Sequence, residues 1–263
     1  MLADAASLPR LKLSRNLELV GLGLYISDED TLLIADLHIG YEEALSEDGI
    51  FIPPVQTAEM RALISRMVRE TGASKLVLLG DIKHEFGDVT RQEWRETNEL
   101  LSFLTEELRL SVSVVRGNHD NYLIPILKKM NISLYDPHAT VGSSLLIHGH
   151  KPLPVEGFAE SVKLIVMGHE HPAIVLRDEL GAKVKLKVFL DGEYMGKRVI
   201  VLPALSPLMP GTEVNVERKL LSPLLREARV DDFRVYAVDI EAGIYDFGLI
   251  KHLRLVSSTP SEL

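Results

Sequence analysis

The sequence predicts an α/β fold, α+β in its second half, with two sheets packed face to face and helices outside them. Up to His171, short apolar runs bounded by glycine alternate with helix-like segments, which is typical of a parallel or mixed sheet covered by helices. After His171 the chain is rich in strand-like stretches and poor in helical ones. No repeat, low-complexity run or linker-like change in composition divides it, so we expect one domain spanning residues 1–263.

Five short apolar runs predict strands, and each leads directly into Asp, Asn or His residues. Runs of about four residues bounded by glycine are too short for buried helices and are typical of strands apolar on both faces. The five runs and their polar clusters are Leu32–Ala35 with Asp36 and His38, Leu76–Leu79 with Asp81 and His84, Val112–Val115 with Asn118, His119 and Asp120, Leu145–Ile147 with His148 and His150, and Leu164–Met167 with His169 and His171.

Two helices are predicted between these strands. Pro53-Pro54 and Gly72 mark the start and end of a helix over Val55–Thr71. A second helix over Thr90–Leu108 opens with a capping box, Thr90-x-x-Glu93. Its apolar stripe is predicted to face the core and consists of Trp94, Thr97, Leu101, Leu104 and Leu108.

The second half predicts hairpins. One set comprises Ala173–Leu176, Val184–Asp191 and Arg198–Leu202, with a turn at Asp191-Gly192. Another pair, Val235–Ile240 and Ile244–Leu255, flanks Ala242-Gly243. These strands are expected to form the β-rich part of the fold.

Composition excludes several classes of protein. The chain has 263 residues, no cysteine and a net charge of −9. Without cysteine there is no disulfide scaffold, cysteine-bound zinc, iron–sulfur cluster or thiol nucleophile. The negative charge argues against a surface built to coat nucleic acid, but leaves open a local basic patch or a metal-centred phosphate site. No apolar run reaches the roughly 18 residues of a membrane span, and Asp4 stands where a signal peptide would be basic, so we expect a cytoplasmic protein.

The polar clusters predict a metal site. All five follow the carboxyl end of a strand, and a shared sheet would place them along one edge, where ligands bind in open α/β sheets. Mixed imidazole and carboxylate ligands suit Mn, Fe or Zn and disfavour calcium. Burying so many polar groups without a cation costs several kcal/mol, so the joint pattern favours a site over capped turns and core histidines.

The order Asp-x-His, Gly-Asp-x-x-His, Gly-Asn-His-Asp, His and Gly-His-x-His resembles the calcineurin-like metallophosphoesterases, over about residues 17–202. The resemblance implies a four-layer αββα sandwich with two metal ions, most consistent with Mn²⁺, and with Fe, Zn, Co or Ni as alternatives. It implies that Asp81 bridges both ions. The other implied ligands are Asp36, His38 and His171 for the first ion, and Asn118, His148 and His169 for the second.

The resemblance also implies a catalytic group beside the metals. His119 would donate a proton or contact the phosphate, and Asp120 would orient its ring. His84 would contact the phosphate or support Asp81. His150, two residues after His148, is expected to be a loop residue or a support for the ligands.

A narrower resemblance is to the SbcD-type DNA-repair nucleases, which also carry His in the fifth place of Gly-Asp-x-x-His. Residues 32–51 and 202–211 resemble a small SbcD-related archaeal and bacterial group associated with a helicase or a DNA ligase. This implies a Mn-dependent DNA nuclease with a role in repair. The segment from His119 to His148 is shorter than in SbcD and no capping domain is expected, which argues against processive work with a partner ATPase.

Other interpretations remain open at this point. The same site could serve a phosphomonoesterase, or the fold could be a non-catalytic scaffold like the retromer-type relatives. Lys183, Lys185 and Lys187 alternate with apolar residues and predict either a solvated strand face or a track for nucleic acid. The pairs Lys128-Lys129 and Arg218-Lys219 have the same two interpretations.

Overall fold

The computed structural model describes residues 7–85, 87, 90–177 and 182–258. The first sheet has seven strands that follow chain order in space. Neighbours are antiparallel from the first strand to the fourth and parallel from the fourth to the seventh. The strands are β1 (Arg10–Lys12), β2 (Leu17–Val20), β3 (Gly23–Ile26), β4 (Thr31–Ile34), β5 (Lys75–Leu78), β6 (Ser111–Val115) and β7 (Ser133–Tyr135).

The second sheet has nine strands: β8 (His138–Val141), β9 (Ser144–Ile147), β10 (Leu164–Met167), β11 (Pro172–Arg177), β12 (Lys183–Tyr194), β13 (Lys197–Val201), β14 (Thr212–Glu213), β15 (Arg234–Asp239) and β16 (Gly243–Leu249). Its main path is β14-β11-β12-β13-β10-β9-β8, and β15 joins β12 to β16. Strands β9, β10 and β13 are parallel to one another.

Helices cover the outer faces of both sheets. The helices are α1 (Tyr41–Glu47), α2 (Gln56–Thr71), α3 (Arg91–Ser102), α4 (Ile124–Lys129), α5 (Pro223–Glu227) and α6 (Ile250–Ser258). Met60 and Ile64 of α2 pack in the same core as the first sheet, and Leu224 of α5 packs on the second. No helix in the described ranges is long and apolar enough to span a bilayer.

Side chains alternate between two cores along the second sheet. Leu146 of β9 packs between the sheets, whereas Leu145 and Ile147 pack on the outer face. Strand β10 alternates in the same way, with Val166 inside and Ile165 outside. Both faces are therefore buried, as the continuous apolar runs predicted. The predicted fold of two packed mixed sheets flanked by helices is confirmed.

The predicted turn at Asp191-Gly192 is wrong. Both residues lie inside the long strand β12, and the chain reverses at Met195-Gly196. Gly192 serves a different purpose, because a Cβ there would lie 2.1 Å from Cδ1 of Phe233. The Asp-Gly pair thus reflects close packing of an aromatic ring against the strand rather than a hairpin turn.

The predicted strand over Ile244–Leu255 is also wrong in its second part. Strand β16 ends at Leu249 and α6 begins at Ile250, whose N–H donates to the carbonyl of Phe233 at 3.0 Å. Ile250 and Leu253 face the outer core. Their spacing of three residues is helical, and it distinguishes this stretch from a strand.

The helix predicted over Thr90–Leu108 divides into α3 and a π-helical turn over Phe103–Glu107. Half of its capping box is present: the Thr90 side chain accepts from the N–H of Glu93, whereas the Glu93 carboxylate accepts the N–H groups of His84 and Glu85. Thr97, Leu101 and Leu104 are buried as expected, but Trp94 is 42% exposed. The buried face of α3 runs through Glu93, Thr97 and Leu100, and Trp94 lies outside it.

Candidate metal centre

The five polar clusters meet in one place, although they do not share one sheet edge as predicted. Three follow β4, β5 and β6 of the first sheet, and two follow β9 and β10 of the second. Two groups of side chains have potential ligand atoms within 4.8 Å of one another. One comprises Asp36, His38, Asp81 and His171, and the other Asp81, His148 and His169. The site is therefore a junction between two sheets.

Asp81 belongs to both groups because its two oxygens point to different partners. Oδ1 accepts the N–H of His119 at 3.0 Å, which fixes the carboxylate. Oδ2 lies 3.2 Å from Nε2 of His148 and 3.9 Å from Nε2 of His38. One oxygen of a fully buried carboxylate thus faces an imidazole from each group.

In the first group, the ligand atoms of Asp36, His38 and His171 face one another. Nε2 of His38 lies 3.2 Å from Nε2 of His171, and Nε2 of His171 lies 3.3 Å from Oδ1 of Asp36. Oδ2 of Asp36 accepts the N–H of His169 at 2.9 Å, whereas Oδ1 is buried with no hydrogen-bond partner in the described part of the chain. A cation would satisfy this orphaned oxygen and separate the facing nitrogens.

The second group centres on His148. Its Nδ1 lies 2.7 Å from the carbonyl oxygen of Leu79, which identifies Nδ1–H as a donor and leaves Nε2 available as a ligand. Nε2 also lies 3.1 Å from Oδ1 of Asn118. These contacts place an amide oxygen, a carboxylate and an imidazole around one point, a donor set that suits a divalent cation.

The pKa values of the histidines in this group indicate which proton a cation would displace. Burial lowers the pKa of His148, but the charge of Asp81, its hydrogen bond and the charge of Asp36 outweigh burial and raise that pKa to about 9. Burial and the charged His148 lower the pKa of His169 to about 3. Without a cation, a proton on His148 therefore offsets part of the negative charge of Asp81 and Asp36, and a metal would displace it.

The loops that carry these groups are conformationally costly. Positive φ at a residue other than glycine costs about 1–2 kcal/mol. Five of the clustered residues have it: Asp36 (57°), His38 (46°), Asp81 (50°), His169 (67°) and His171 (47°). Packing must compensate for this strain, and such strain is characteristic of functional loops.

Two glycines allow the clusters to approach closely. A Cβ on Gly117 would lie 2.1 Å from Oδ1 of Asp81, and a Cβ on Gly80 would lie 2.5 Å from Nδ1 of His148. Both contacts are shorter than any side-chain carbon tolerates. The glycines in Gly-Asp-x-x-His and Gly-Asn-His-Asp are therefore required by packing around the two carboxylate and imidazole groups.

The carboxylate of Asp120, predicted to orient the His119 ring, contacts the backbone around Asp81. It accepts three backbone N–H groups, from Asp81 (2.9 Å), Gly117 (2.8 Å) and Ile82 (2.9 Å). Burial and the charge of Asp81 nevertheless raise its pKa to about 6. Asp120 thus ties the Gly-Asn-His-Asp loop to the loop carrying Asp81.

His119 and His84 lie beside the first group of ligands. Nδ1 of His119 contacts the carbonyl oxygen of His84, so this carbonyl orients the ring. Nε2 of His119 lies 3.7 Å from Oδ2 of Asp81. Nδ1 of His84 lies 3.4 Å from Nδ1 of His38. Burial lowers the pKa of both His119 and His84, which favours neutral rings when nothing is bound.

His150 does not join either group. Its ring centroid lies 5.2 Å from that of His148, and its Nδ1 is buried with no partner among the described residues. Burial lowers the pKa of His150 to about 4. A supporting role for His150 stays a prediction.

Gln56 was missed by the sequence analysis. Its Nε2 contacts the carbonyl oxygens of Leu37 (2.9 Å) and His38 (3.0 Å) and the hydroxyl of Ser206 (2.8 Å). The side chain is 1% exposed. Gln56 therefore fixes the strained Asp36–His38 loop through hydrogen bonds to its backbone. A single glutamine at the start of a helix is not a recognisable motif, so the sequence contains no indication of this role.

Lys187 and Gln56 together form a clamp on the Asp36–His38 loop, Lys187 through the segment of Ala204 and Ser206. The predicted lysine track for nucleic acid is therefore wrong at this position. Nζ of Lys187 donates to the carbonyls of Ala204 (2.7 Å) and Ser206. Burial lowers its pKa to about 8. The clamped segment in turn donates to the metal-centre loop, from Leu205 N–H to Ala35 (2.8 Å) and from Ser206 N–H to Asp36 (3.2 Å).

Glu170 anchors the turn between His169 and His171. Its carboxylate is fully buried and accepts the N–H groups of Leu221 (2.9 Å) and Ser222 (2.9 Å). Burial raises its pKa. Sequence reasoning passed over Glu170 because Gly-His-x-His places no demand on the intervening residue.

Comparison with known proteins identifies the family. A model of the calcineurin-like phosphoesterases matches residues 30–173, which include all five polar clusters. Among solved structures, the Pseudomonas putida nuclease MPE has a TM-score of 0.63 at 20% identity, over 92% of this chain and 100% of that chain. YfcE, a phosphoesterase from E. coli, has a TM-score of 0.40 at 16% identity, over 80% of this chain and 87% of that chain. A search of curated proteins returned no significant match. Since the matched region is more than half of the chain, this protein belongs to the calcineurin-like phosphoesterase family.

Proposed function

We propose that the chain is a metal-dependent phosphodiesterase with a two-ion centre, and that its substrate is DNA. The observation that carries the proposal is Oδ2 of Asp81, which faces one imidazole from each ligand group. A single shared oxygen between two ligand groups is what a bridged pair of cations requires. Family membership indicates hydrolysis of phosphoesters.

The residues present fit such a pair. Asp36, His38 and His171 would hold the first ion, Asn118, His148 and His169 the second, and Asp81 both. This set of imidazole, carboxylate and amide donors suits Mn²⁺, with Fe, Zn, Co and Ni as alternatives. When bound, two such cations attract the phosphoryl group and lower the pKa of a water molecule.

The protein's own groups have separate roles in this proposal. His119 holds Nδ1–H on the His84 carbonyl and presents Nε2 beside Asp81. The anionic phosphate would favour a proton on that Nε2, from which it can pass to the departing oxygen. Asp120 keeps the loops of Asp81 and His119 together, and His84 supports His38 or contacts the phosphate.

DNA is favoured by two observations. The structural neighbour with the same overall fold is named as a nuclease. His84 occupies the place where the SbcD-related nucleases also carry His. We therefore propose a role in DNA repair, with a helicase or DNA ligase as partner. The rival is a phosphomonoesterase acting at the same centre.

The test uses metal-stripped protein supplied with Mn²⁺ and offered linear and closed circular DNA. Metal-dependent cleavage that is lost in Asp81→Ala and in His119→Ala would support the proposal, and cutting of closed circles would identify an endonuclease. No DNA cleavage, with brisk turnover of p-nitrophenyl phosphate by the same preparation, would favour the phosphomonoesterase. Binding of no metal, with full thermal stability, would support a scaffold instead.

A further inference from the structure

A basic cavity is lined by residues between 218 and 232 and by Arg254, and it has no part in the chemistry described above. Its volume is about 610 Å³. Five cationic residues line it, against two acidic ones, in a chain of net charge −9. The cations are Arg218, Lys219, Arg226, Arg229 and Arg254, and the acids are Asp231 and Asp232.

The acidic residues of this cavity already have partners. Asp231 pairs with Arg254 at 2.5 Å, and Asp232 pairs with Lys251 at 2.8 Å. Within the described ranges, no carboxylate lies within 4.0 Å of the cationic groups of Arg218, Lys219 or Arg229, and all three side chains are exposed. The cavity therefore presents uncompensated positive charge.

The segment carrying this charge is fastened at both ends to the turn of His169 and His171. At one end, the N–H of Thr212 donates to the carbonyl of His171 at 2.9 Å. At the other, Leu221 and Ser222 donate to the buried carboxylate of Glu170. Arg218 and Lys219 lie between these two attachments and are thus tied through the backbone to the turn that carries two of the proposed ligands.

The rigidity of the segment has a further source. Arg254 of α6 donates to the carbonyl oxygens of Val214 (3.0 Å) and Glu217 (2.8 Å). Leu220 and Leu225 are buried beneath it. Exposed cationic side chains on an anchored backbone, next to buried apolar residues, suit a ligand with repeated negative charges.

We propose that this cavity binds the phosphate backbone of the nucleic-acid substrate beyond the scissile bond. The inference rests on the proposed function. A protein with a net charge of −9 needs a local basic surface to bind a polyanion, and this cavity provides one. The contact is to phosphates, so it contributes affinity and orientation rather than sequence preference.

The experiment compares Arg218→Gln/Lys219→Gln with Lys128→Gln/Lys129→Gln. Both variants lose two exposed cations, and only the first pair lines the cavity. The measurement is kcat/KM for DNA cleavage in Mn²⁺ over a range of salt, beside hydrolysis of bis(p-nitrophenyl) phosphate. For the cavity pair we expect a loss of about tenfold near 0.1 M salt, and a slope of log kcat/KM against log salt that is shallower by about 1.4–1.8. For the control pair we expect a change below about twofold.

Small-diester hydrolysis should stay within about twofold of wild type in both variants, because the cavity is separate from the reacting groups. Equal losses in both pairs, no loss in the cavity pair, or a parallel loss of small-diester hydrolysis would overturn the inference. If the wild-type protein hydrolyses the small diester but not DNA, the DNA substrate fails and this inference fails with it. If it hydrolyses neither, the phosphodiesterase itself fails.

Discussion

The two sheets contribute different chemistry to the metal centre. The first sheet supplies both carboxylates and the amide of the proposed ligand set, together with one imidazole, His38. The second supplies only imidazoles, those of His148, His169 and His171. Carboxylates attract a cation over a distance, whereas neutral imidazoles discriminate by geometry, so neither sheet has a complete site by itself.

The first sheet also orients the histidines of the second. The Leu79 carbonyl accepts from Nδ1 of His148, and Oδ2 of Asp36 accepts the N–H of His169. In the opposite direction, Ala204 of the second half forms a bridge with Ala35 at the end of β4. The centre is therefore assembled by the packing of the sheets and should in turn hold them together.

The largest effect is expected from the residue that both groups share. Asp81→Asn should lose both metal ions, and hydrolysis should fall by at least about a thousandfold, because the lost electrostatic stabilisation amounts to several kcal/mol. His171→Gln removes a ligand of the first ion only and should leave the other bound. Metal content after dialysis against Mn²⁺ distinguishes the two variants, and equal loss in both would contradict a bridging Asp81.

The pH dependence of the metal-free protein tests the contact between the sheets at His148. Its pKa is raised from 6.5 to about 9, so its stabilising contribution is complete below pH 6.5 and is lost as pH rises through about 9. The shift corresponds to about 3 kcal/mol at most. The melting temperature of wild type should therefore fall more steeply than that of His148→Gln between about pH 7 and 9.5 in chelator.

Metal binding should release the proton that His148 carries. At neutral pH, titration calorimetry in buffers of different ionisation enthalpy should record about one proton released as His148 exchanges it for a cation. Parallel stability curves for wild type and His148→Gln, or the absence of proton release, would show that His148 is neutral before metal binds.

A smaller effect is expected from the clamp below the first-sheet loop. Gln56→Met leaves the carbonyl of Leu37 without this partner, which costs about 1–3 kcal/mol when it stays buried, whereas the carbonyl of His38 keeps the N–H of Tyr41. Affinity at the ion held by His38 should fall about tenfold, while the ion held by His148 is retained. Two-site titration with Mn²⁺ measures both.

The chain has a matched control for this variant. Gln92, the only other glutamine, lies on α3 and bonds Glu96 away from the metal centre. Gln92→Met should leave both affinities unchanged. Equal weakening of both ions by Gln56→Met would point to a general loss of packing rather than to a clamp on one loop.

The smallest effect is expected at Trp94. Because its side chain is 42% exposed, Trp94→Ala should lower the free energy of unfolding by less than about 1 kcal/mol. Leu101→Ala, on the same helix at 0% exposure, should cost about 2–5 kcal/mol. Urea unfolding measures both losses of stability. A larger loss in Trp94→Ala than in Leu101→Ala would show that Trp94 lies in the core, as the apolar stripe predicted.

Sequence patterns were most reliable where one local rule decided the outcome. The runs before Asp36, Asp81 and His169 formed strands because four apolar residues between polar loops have few other ways to be buried. Capping chemistry located the start of α3 for the same reason. By contrast, Gly192 and Ile250 were misassigned because a neighbouring ring and a packed helix face outweighed their local patterns.

The sequence by itself determined the inventory of the protein: strands of the right length, polar clusters at their carboxyl ends, and glycines where those clusters approach. These features are encoded within a few residues of one another, so local chemistry suffices to identify them. Only the tertiary structure decided that the clusters come from two sheets, that Gln56 and Lys187 clamp one loop, that Asp120 accepts three backbone N–H groups, and that Arg218 and Lys219 line a cavity. These arrangements join residues distant in the chain, and their geometry arises from packing that no short stretch of sequence contains.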